Sequence, residues 1–363
     1  ELAVQILAHG SSTAFKDLRS GSADMGMSSR PIRASEAAAL LPELGELNGP
    51  AGEHVIALDG LAVIVHPSNP LNSLTTQQVA RLFAGDIKNW SSLGGHYAPV
   101  AIYARDDQSG TFDTFKSLVL ERHGLKLTPA AQRLESSTEL SDLVAKDVGA
   151  IGFIGLPYVR RAKLLAISEA AESLAIVPTN FTVGTEDYPL SRRLFFYTPP
   201  TDSNPLMAEL TEFALGRAGQ EIVERAGFVS QNIRLEQPKL DPTLPKEYLE
   251  LIRGAQRLSL NFRFQPGSDR LDNKAHRDLQ RLVDYLAEHR DQRVALIGFT
   301  DSVGDPSYDL LLSQRRAETV EKALQARGIY PWATRGFGQT MPVASNTSAA
   351  GQQKNRRVEV WVR

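Results

Sequence analysis

The chain is 363 residues long, 42% hydrophobic and 23% charged, which fits a soluble globular protein of two or three domains. A net charge of -2 offers no pull toward nucleic acid, and no apolar run reaches the roughly 18 residues of a membrane span. The absence of cysteine excludes disulfides and thiol chemistry, and the seven histidines form no HExxH pair, so no metal or other cofactor is expected.

The sequence opens on a strand-like stretch, Leu2–Leu7, as a mature or trimmed chain would. His9-Gly10-Ser11-Ser12-Thr13 then leads into a short helix carrying Phe15 and Leu18 and ending at Gly21, and a strand at 24–27 runs to Ser28-Ser29-Arg30-Pro31. Strands are predicted at Val55–Leu58, Leu61–His66, Val100–Tyr103 and Ile151–Ile154. Between them lie helical stretches such as Thr76–Phe83, with Val79, Leu82 and Phe83 on one face. This alternation predicts an α/β sheet over residues 1–232. Pro238, Pro242 and Pro245 mark residues 233–255 as a semi-rigid linker closing on a short helix near Lys246–Arg253. Its roughly twenty residues would reach roughly 60 Å if extended. Residues 256–363 read as an α+β module of order β-α-β-α-β-β. Its strands are expected at Leu258–Phe264, Val294–Phe299, Ala333–Gly336 and Arg357–Val362, and its helices at Asn273–Glu288 and Leu311–Arg327, the latter closed by Gly328.

The sharpest local pattern is Arg105-Asp106-Asp107-Gln108-Ser109-Gly110-Thr111-Phe112, placed between a strand and a helix. Free N–H groups of a first helical turn, the Ser109 and Thr111 hydroxyls and the close backbone approach allowed by Gly110 make an anion seat. Arg105 adds a planar fork for two oxygens, with Asp107 expected to hold it in place behind the site. Taken alone, the same pattern also fits a helix N-cap. The Ser11–Thr13 turn and Ser28-Ser29-Arg30 form a second cluster of hydroxyls and strand ends, open to the same two readings.

At this point residues 1–232 resemble the PstS-type phosphate-binding proteins of ABC importers. The resemblance rests on Arg105, Asp107, Ser109, Gly110 and Thr111, and on Phe83-Ala84-Gly85-Asp86-Ile87-Lys88-Asn89-Trp90, Gly149-Ala150-Ile151-Gly152-Phe153, Tyr188-Pro189-Leu190-Ser191-Arg192, Gly219-Gln220 and Gly227-Phe228-Val229, in the family's order. It implies a two-lobed periplasmic-binding-protein fold of type II, closing on phosphate through Ser11, Ser29, Arg105, Ser109, Gly110 and Thr111, with hinge crossings near Asp59-Gly60 and Tyr103. Two departures stand out. Ser29 replaces an Asp that in the family accepts the proton of phosphate, which removes a charge that repels sulfate. The family's first strand, loop and helix are also missing, and a segment upstream of residue 1 is expected.

In the last region Thr300-Asp301 ends a strand and Arg316 lies on the following helix, so an acid and a base can face a zwitterion or simply pair with each other. Gly298, Thr300, Asp301, Gly304, Tyr308, Leu312, Ser313, Arg316 and Ala317, then Arg335-Gly336-Phe337-Gly338, Pro342 and Asn355-Arg356-Arg357-Val358-Glu359-Val360, resemble the OmpA-like peptidoglycan-binding family. The resemblance implies that Asp301 and Arg316 hold the diaminopimelate of the stem peptide. Arg356 is a further pocket residue, and Arg357 is open between the pocket and packing along the last strand. Asp309 stands where the family prefers Asn. The reading is a periplasmic, non-enzymatic receptor for phosphate or a similar oxyanion, bound non-covalently to peptidoglycan, with an ABC permease as a potential partner and no nucleic acid. The alternatives are a phosphate-ester hydrolase using Ser109 or Ser11, and a wall-bound scaffold or adhesin that has lost its anion.

Overall fold

A computed structural model describes the chain except for residues 1–3, 8–10, 201–203, 239–241 and 266–267. The elements begin with α1 (Ser11–Ser20), β1 (Gly26–Ser28), α2 (Ala34–Leu44), β2 (Glu53–Val65), β3 (Ser73–Thr75), α3 (Thr76–Phe83), β4 (Ala101–Arg105), α4 (Gly110–Phe115), β5 (Gln132–Leu134) and α5 (Ser137–Val144). There follow β6 (Ala150–Gly155), β7 (Lys163–Leu164), β8 (Ala166–Ser168), α6 (Asn180–Gly184), β9 (Ser191–Tyr197), α7 (Pro205–Leu215) and α8 (Arg217–Arg225). The C-terminal part holds β10 (Leu235–Glu236), α9 (Lys246–Leu251), β11 (Gln256–Arg263), α10 (Asn273–Glu288), β12 (Val294–Phe299), α11 (Pro306–Gln325), β13 (Ala333–Gly336), α12 (Ala349–Asn355) and β14 (Arg357–Val362). No helix of the described residues is long and apolar enough to cross a membrane. The chain forms two units: residues 1–59 with 192–232, and residues 60–191 with 233–363.

In the first unit β1 pairs antiparallel with β9, setting Gly26 opposite Tyr197. Phe15 and Leu18 of α1 join Ile32, Leu40, Leu47, Val55, Phe195 and Tyr197 in one buried cluster. A Cβ on Gly26 would come within 2.9 Å of Leu18 Cδ1, so the helix lies close on the strand. Of the expected opening strand Leu2–Leu7, residues 2 and 3 lie outside the described residues; residues 4–7 carry no regular structure, and Val4, Ile6 and Leu7 are exposed.

In the second unit β6 lies between β2 and β4, antiparallel to β2 and parallel to β4, and β4 is parallel to β5. Such parallel pairing requires crossover helices, which bury both sheet faces and explain the near-continuous apolar run of β6. Phe153 stacks on Phe115 at 3.9 Å. Leu140 and Val144 of α5 pass so close over Gly152 that no side chain fits there.

The C-terminal sheet has the order β10-β11-β14-β12-β13, with only β12 and β13 parallel. Alternation along the strands sends Val294, Leu296, Val358, Val360 and Val362 into a core with α10 and α11. Ala295, Ile297, Phe299 and Trp361 face the other way and are covered by Tyr248, Ile252 and Ala255. In the segment expected as a semi-rigid linker, the described residues on either side of 239–241 are packed. Leu235 pairs with Leu258 in the sheet, and α9 closes the sheet's second face because Tyr248 and Ile252, four apart, form an apolar stripe. The β-α-β-α-β-β order also gains α12 before the last strand.

Candidate functional sites

Each predicted anion seat has its own local architecture. In the first unit Ser11 opens α1 and Ser29 follows β1. The Ser29 N–H donates to Ser11 Oγ at 3.0 Å, and the two hydroxyls are 3.1 Å apart. Arg30 beside them is turned to Glu36, donating at 2.7 and 2.8 Å, and to Ser12 Oγ at 3.1 Å, with its guanidinium 5.3 Å from the Phe15 ring. Its hydrogen bonds hold the Glu36 carboxyl below the usual range. The preceding His9-Gly10 lies outside the described residues.

In the second unit Arg105 is the last residue of β4. Parallel pairing with β5 sets it opposite Leu134, whose carbonyl accepts from Arg105 Nε at 3.2 Å. Another guanidinium nitrogen donates to Ser137 Oγ at the start of α5, and the Asp106 carboxylate lies 3.7 Å away. The fork is thus braced from behind, but not by Asp107. The Asp106 carboxylate accepts the Gln108 N–H at 2.9 Å and its carbonyl accepts the Ser109 N–H at 3.2 Å. This tight turn swings Asp107 outward. Its side chain is 81% exposed and takes Arg133 at 2.8 Å, while Arg133 lies 4.4 Å over the Phe112 ring. Asp107 is therefore no brace for Arg105, contrary to expectation. Ser137 takes that role, 32 residues along the chain, where sequence spacing gives no sign of it.

Ser109 is the N-cap residue of α4 and is buried, yet its side chain makes no capping bond. Its hydroxyl is not engaged in the role that the plain capping alternative assigns to it. A Cβ at Gly110 would meet no protein atom within 4 Å, so the space over that backbone is open. Thr111 beside it is half-buried. The seat thus presents first-turn backbone and a braced guanidinium, a set of donors suited to an oxyanion.

The C-terminal pocket is built by close packing of α11 on β12 and β13. A Cβ on Gly298 would fall 2.1 Å from the Ser313 carbonyl oxygen, and one on Gly336 2.4 Å from Gln314 N. Only glycine admits the helix so near, and this carries Arg316 beside the strand end at Thr300-Asp301. The acid and base do not pair with each other. Asp301 is bound by Arg356, whereas Arg316 donates to the Ser268 carbonyl at 3.1 and 3.2 Å and lies 5.4 Å from the Phe264 ring. Burial, then the neighbouring Arg356, pull the Arg316 pKa down to about 10. Asp309 is 3% exposed; burial and then Asp301 push its carboxyl up. Four buried polar atoms here have no partner among the described residues: Arg316 Nη1, Arg356 Nε, Asp309 Oδ2 and Thr300 Oγ1. Such groups are costly unless a ligand or water answers them. Two guanidinium donors match a carboxylate, and the two oxygens match an ammonium. Arg357 resolves as structural: it donates to Glu359 at 2.9 and 3.0 Å and stacks 4.0 Å from Phe299.

Comparison with known proteins matches two separate stretches of the chain. The PBP superfamily domain matches residues 1–216, and the OmpA family matches residues 263–356. The phosphate-binding protein PstS of Pseudomonas aeruginosa is 32% identical over 244 residues, covering 62% of this chain and 73% of that protein. Outer membrane porin F of Pseudomonas fluorescens is 35% identical over 108 residues, 29% of this chain and 33% of the porin. The crystal structure of an ABC-type phosphate transport receptor from Vibrio cholerae matches with a TM-score of 0.50 and 26% identity, over 61% of this chain and 85% of that one.

Proposed function

Because the chain belongs to the PBP superfamily and carries an OmpA family domain after it, we propose that it is a non-catalytic periplasmic receptor for inorganic phosphate or a similar oxyanion, held at the cell wall by its C-terminal module. The observation that carries the first half is the pairing of a braced Arg105 guanidinium with an N-cap Ser109 that does not cap. In this reading the donors to the anion are Ser11 and Ser29 in the first unit's seat and Arg105, Ser109, Gly110 and Thr111 in the second unit's seat. Charge-assisted bonds then hold the ligand without any covalent step. The relatives named as phosphate-binding and phosphate-transport proteins support this ligand class and make a permease a reasonable recipient.

The second half rests on the four unanswered polar atoms around Arg316. Diaminopimelate offers a carboxylate and an ammonium on one carbon, which complements two guanidinium donors beside the Asp309 and Thr300 oxygens. The described residues of 233–255 pack on the C-terminal sheet at Leu235 and at Tyr248–Ala255, which supports local capture or sensing rather than long-range shuttling.

Calorimetric titration with phosphate, sulfate and arsenate tests the receptor. Phosphate should bind the native chain and be lost in Arg105→Ala; heat from no oxyanion would overturn this half. Sedimentation with purified sacculi tests the anchor, and retention should disappear in Asp301→Ala. Equal retention of that variant would remove the pocket from the account.

A further inference from the structure

Helix α12 is the element that the module's apolar pattern does not explain. Within the second unit it is gripped at both ends by residues of the 60–191 segment. At its N-terminal end Glu169, 8% exposed, accepts the Ser345 N–H and the Ser348 hydroxyl, each at 2.9 Å. Arg122 binds the same carboxylate and donates to Ser348 Oγ at 3.1 Å, and Glu172 accepts from Ser345 Oγ at 3.1 Å. The fit is close: a Cβ on Gly351 would meet Ser345 O at 2.0 Å and Glu169 Oε2 at 2.4 Å. At the other end Lys354 Nζ donates to the Tyr188 carbonyl at 2.6 Å, and Arg263 ties the Lys354 carbonyl to Thr185 and Asp187. Asp187 itself is buried between Arg257, Arg263 and Asn261.

The helix held in this way delivers the C-terminal pocket. Gln353 on α12 accepts from Arg356 at 2.6 Å, and Arg356 binds Asp301. Asn355, fully buried, bonds Ala344 and Asn346, and Asn346 Oδ1 accepts the Ser302 N–H at 3.2 Å beside Asp301. The loop 345–348 therefore has Glu169 on one side and the strand end of the pocket on the other.

We infer that Glu169 is a positioning residue for the wall-binding pocket: the anion-binding part of the chain clamps α12 and so sets Arg356 and Asp301. The wall module is then no self-sufficient anchor, since a buried carboxylate from outside it completes its frame. A change in the segment around Glu169 would be felt as a change in wall affinity.

This rests on the wall-binding reading, and the test keeps the two apart. In the full chain, Glu169→Ala and Glu169→Gln are compared with the native protein by amide exchange at Ser302 and Val343–Ser345. Binding of the tripeptide L-Ala-γ-D-Glu-meso-diaminopimelate is measured alongside. Glu169→Ala should speed exchange at these amides and weaken the tripeptide roughly two- to thirtyfold, the range of coupling through a packed network. Glu169→Gln keeps an acceptor for Ser345 and should fall between; it also decides the matter if the alanine variant does not fold. Phosphate affinity should stay unchanged in both. Native exchange rates in both variants would overturn the clamp, as would native tripeptide affinity. If the native chain bound no tripeptide, the wall reading would fall and exchange at Ser302 alone would decide: acceleration upholds the clamp, and no change removes it.

Discussion

Replacing Arg316 by Met should separate stability from function, because the two effects are expected to differ greatly in size. Arg316 is 1% exposed and its pKa falls from the ordinary arginine range to about 10, chiefly through burial. A folded-state pKa below the unfolded one means that folding disfavours the charged form. That penalty is full below about pH 10 and amounts to ~3 kcal/mol at 1.36 kcal/mol per unit. Against it stand two bonds to the Ser268 carbonyl and the Phe264 face, together ~3 kcal/mol. The terms nearly cancel, and Met fills the volume of the stem. Thermal unfolding followed by circular dichroism should therefore place the variant within about 3 °C of the native chain. Sacculus binding should nevertheless fall by about 10-fold or more, since the charge-assisted bond from Arg316 Nη1 to the ligand carboxylate is lost. A variant that melts more than about 10 °C lower while keeping full retention would show Arg316 to be a structural arginine, and the argument from its unanswered Nη1 would fail.

Asp107→Ala should change stability by less than about 0.5 kcal/mol and leave phosphate affinity intact, because its ion pair with Arg133 is exposed; a tenfold loss in calorimetry would return Asp107 to the site. Asp309→Asn should raise the melting temperature at pH 7. The folded-state pKa of Asp309 is raised, so ionising it costs stability above that value, and the gain should vanish as pH falls toward 3.8. A gain that does not depend on pH would contradict this. Gly298→Ala should cost about 2–3 kcal/mol in denaturant unfolding, since its Cβ would lie 2.1 Å from the Ser313 carbonyl; a neutral result would mean that α11 is not seated on β12 as described.

Much of the fold was legible where apolar periodicity was strong. The bounds of α3, α10, β12, β13 and β14 agree with the sequence reading; the helices each present one buried stripe, and β12 and β14 are buried on both faces. Helix α12 was missed because its sequence, Ala-Ala-Gly-Gln-Gln-Lys-Asn, has no apolar face; hydrogen bonds to Glu169 and Tyr188 hold it instead. Strand β2 was read as two pieces, Val55–Leu58 and Leu61–His66, but it is one strand from Glu53 to Val65, with Val183 packed over Gly60 so that no Cβ fits there. The linker reading placed a short helix near Lys246–Arg253, where α9 forms, but not the Tyr248–Ile252 stripe by which it covers the sheet. At the sites, residue types were legible and partners were not. Arg105 was singled out, but Ser137 as its brace was not. Asp301, Arg316 and Arg356 were singled out, but not that Arg356 rather than Arg316 pairs with the acid. Pairings of this kind depend on where crossovers return, which local spacing does not encode.

Radiolabelled phosphate, purified sacculi and the full chain, sedimented together, test both halves of the proposal at once. The label should pellet with the native protein, stay in solution while Arg105→Ala still pellets, and stay in solution together with Asp301→Ala. Native protein that pellets without label, or that leaves both protein and label in the supernatant, would contradict a phosphate receptor held at the wall.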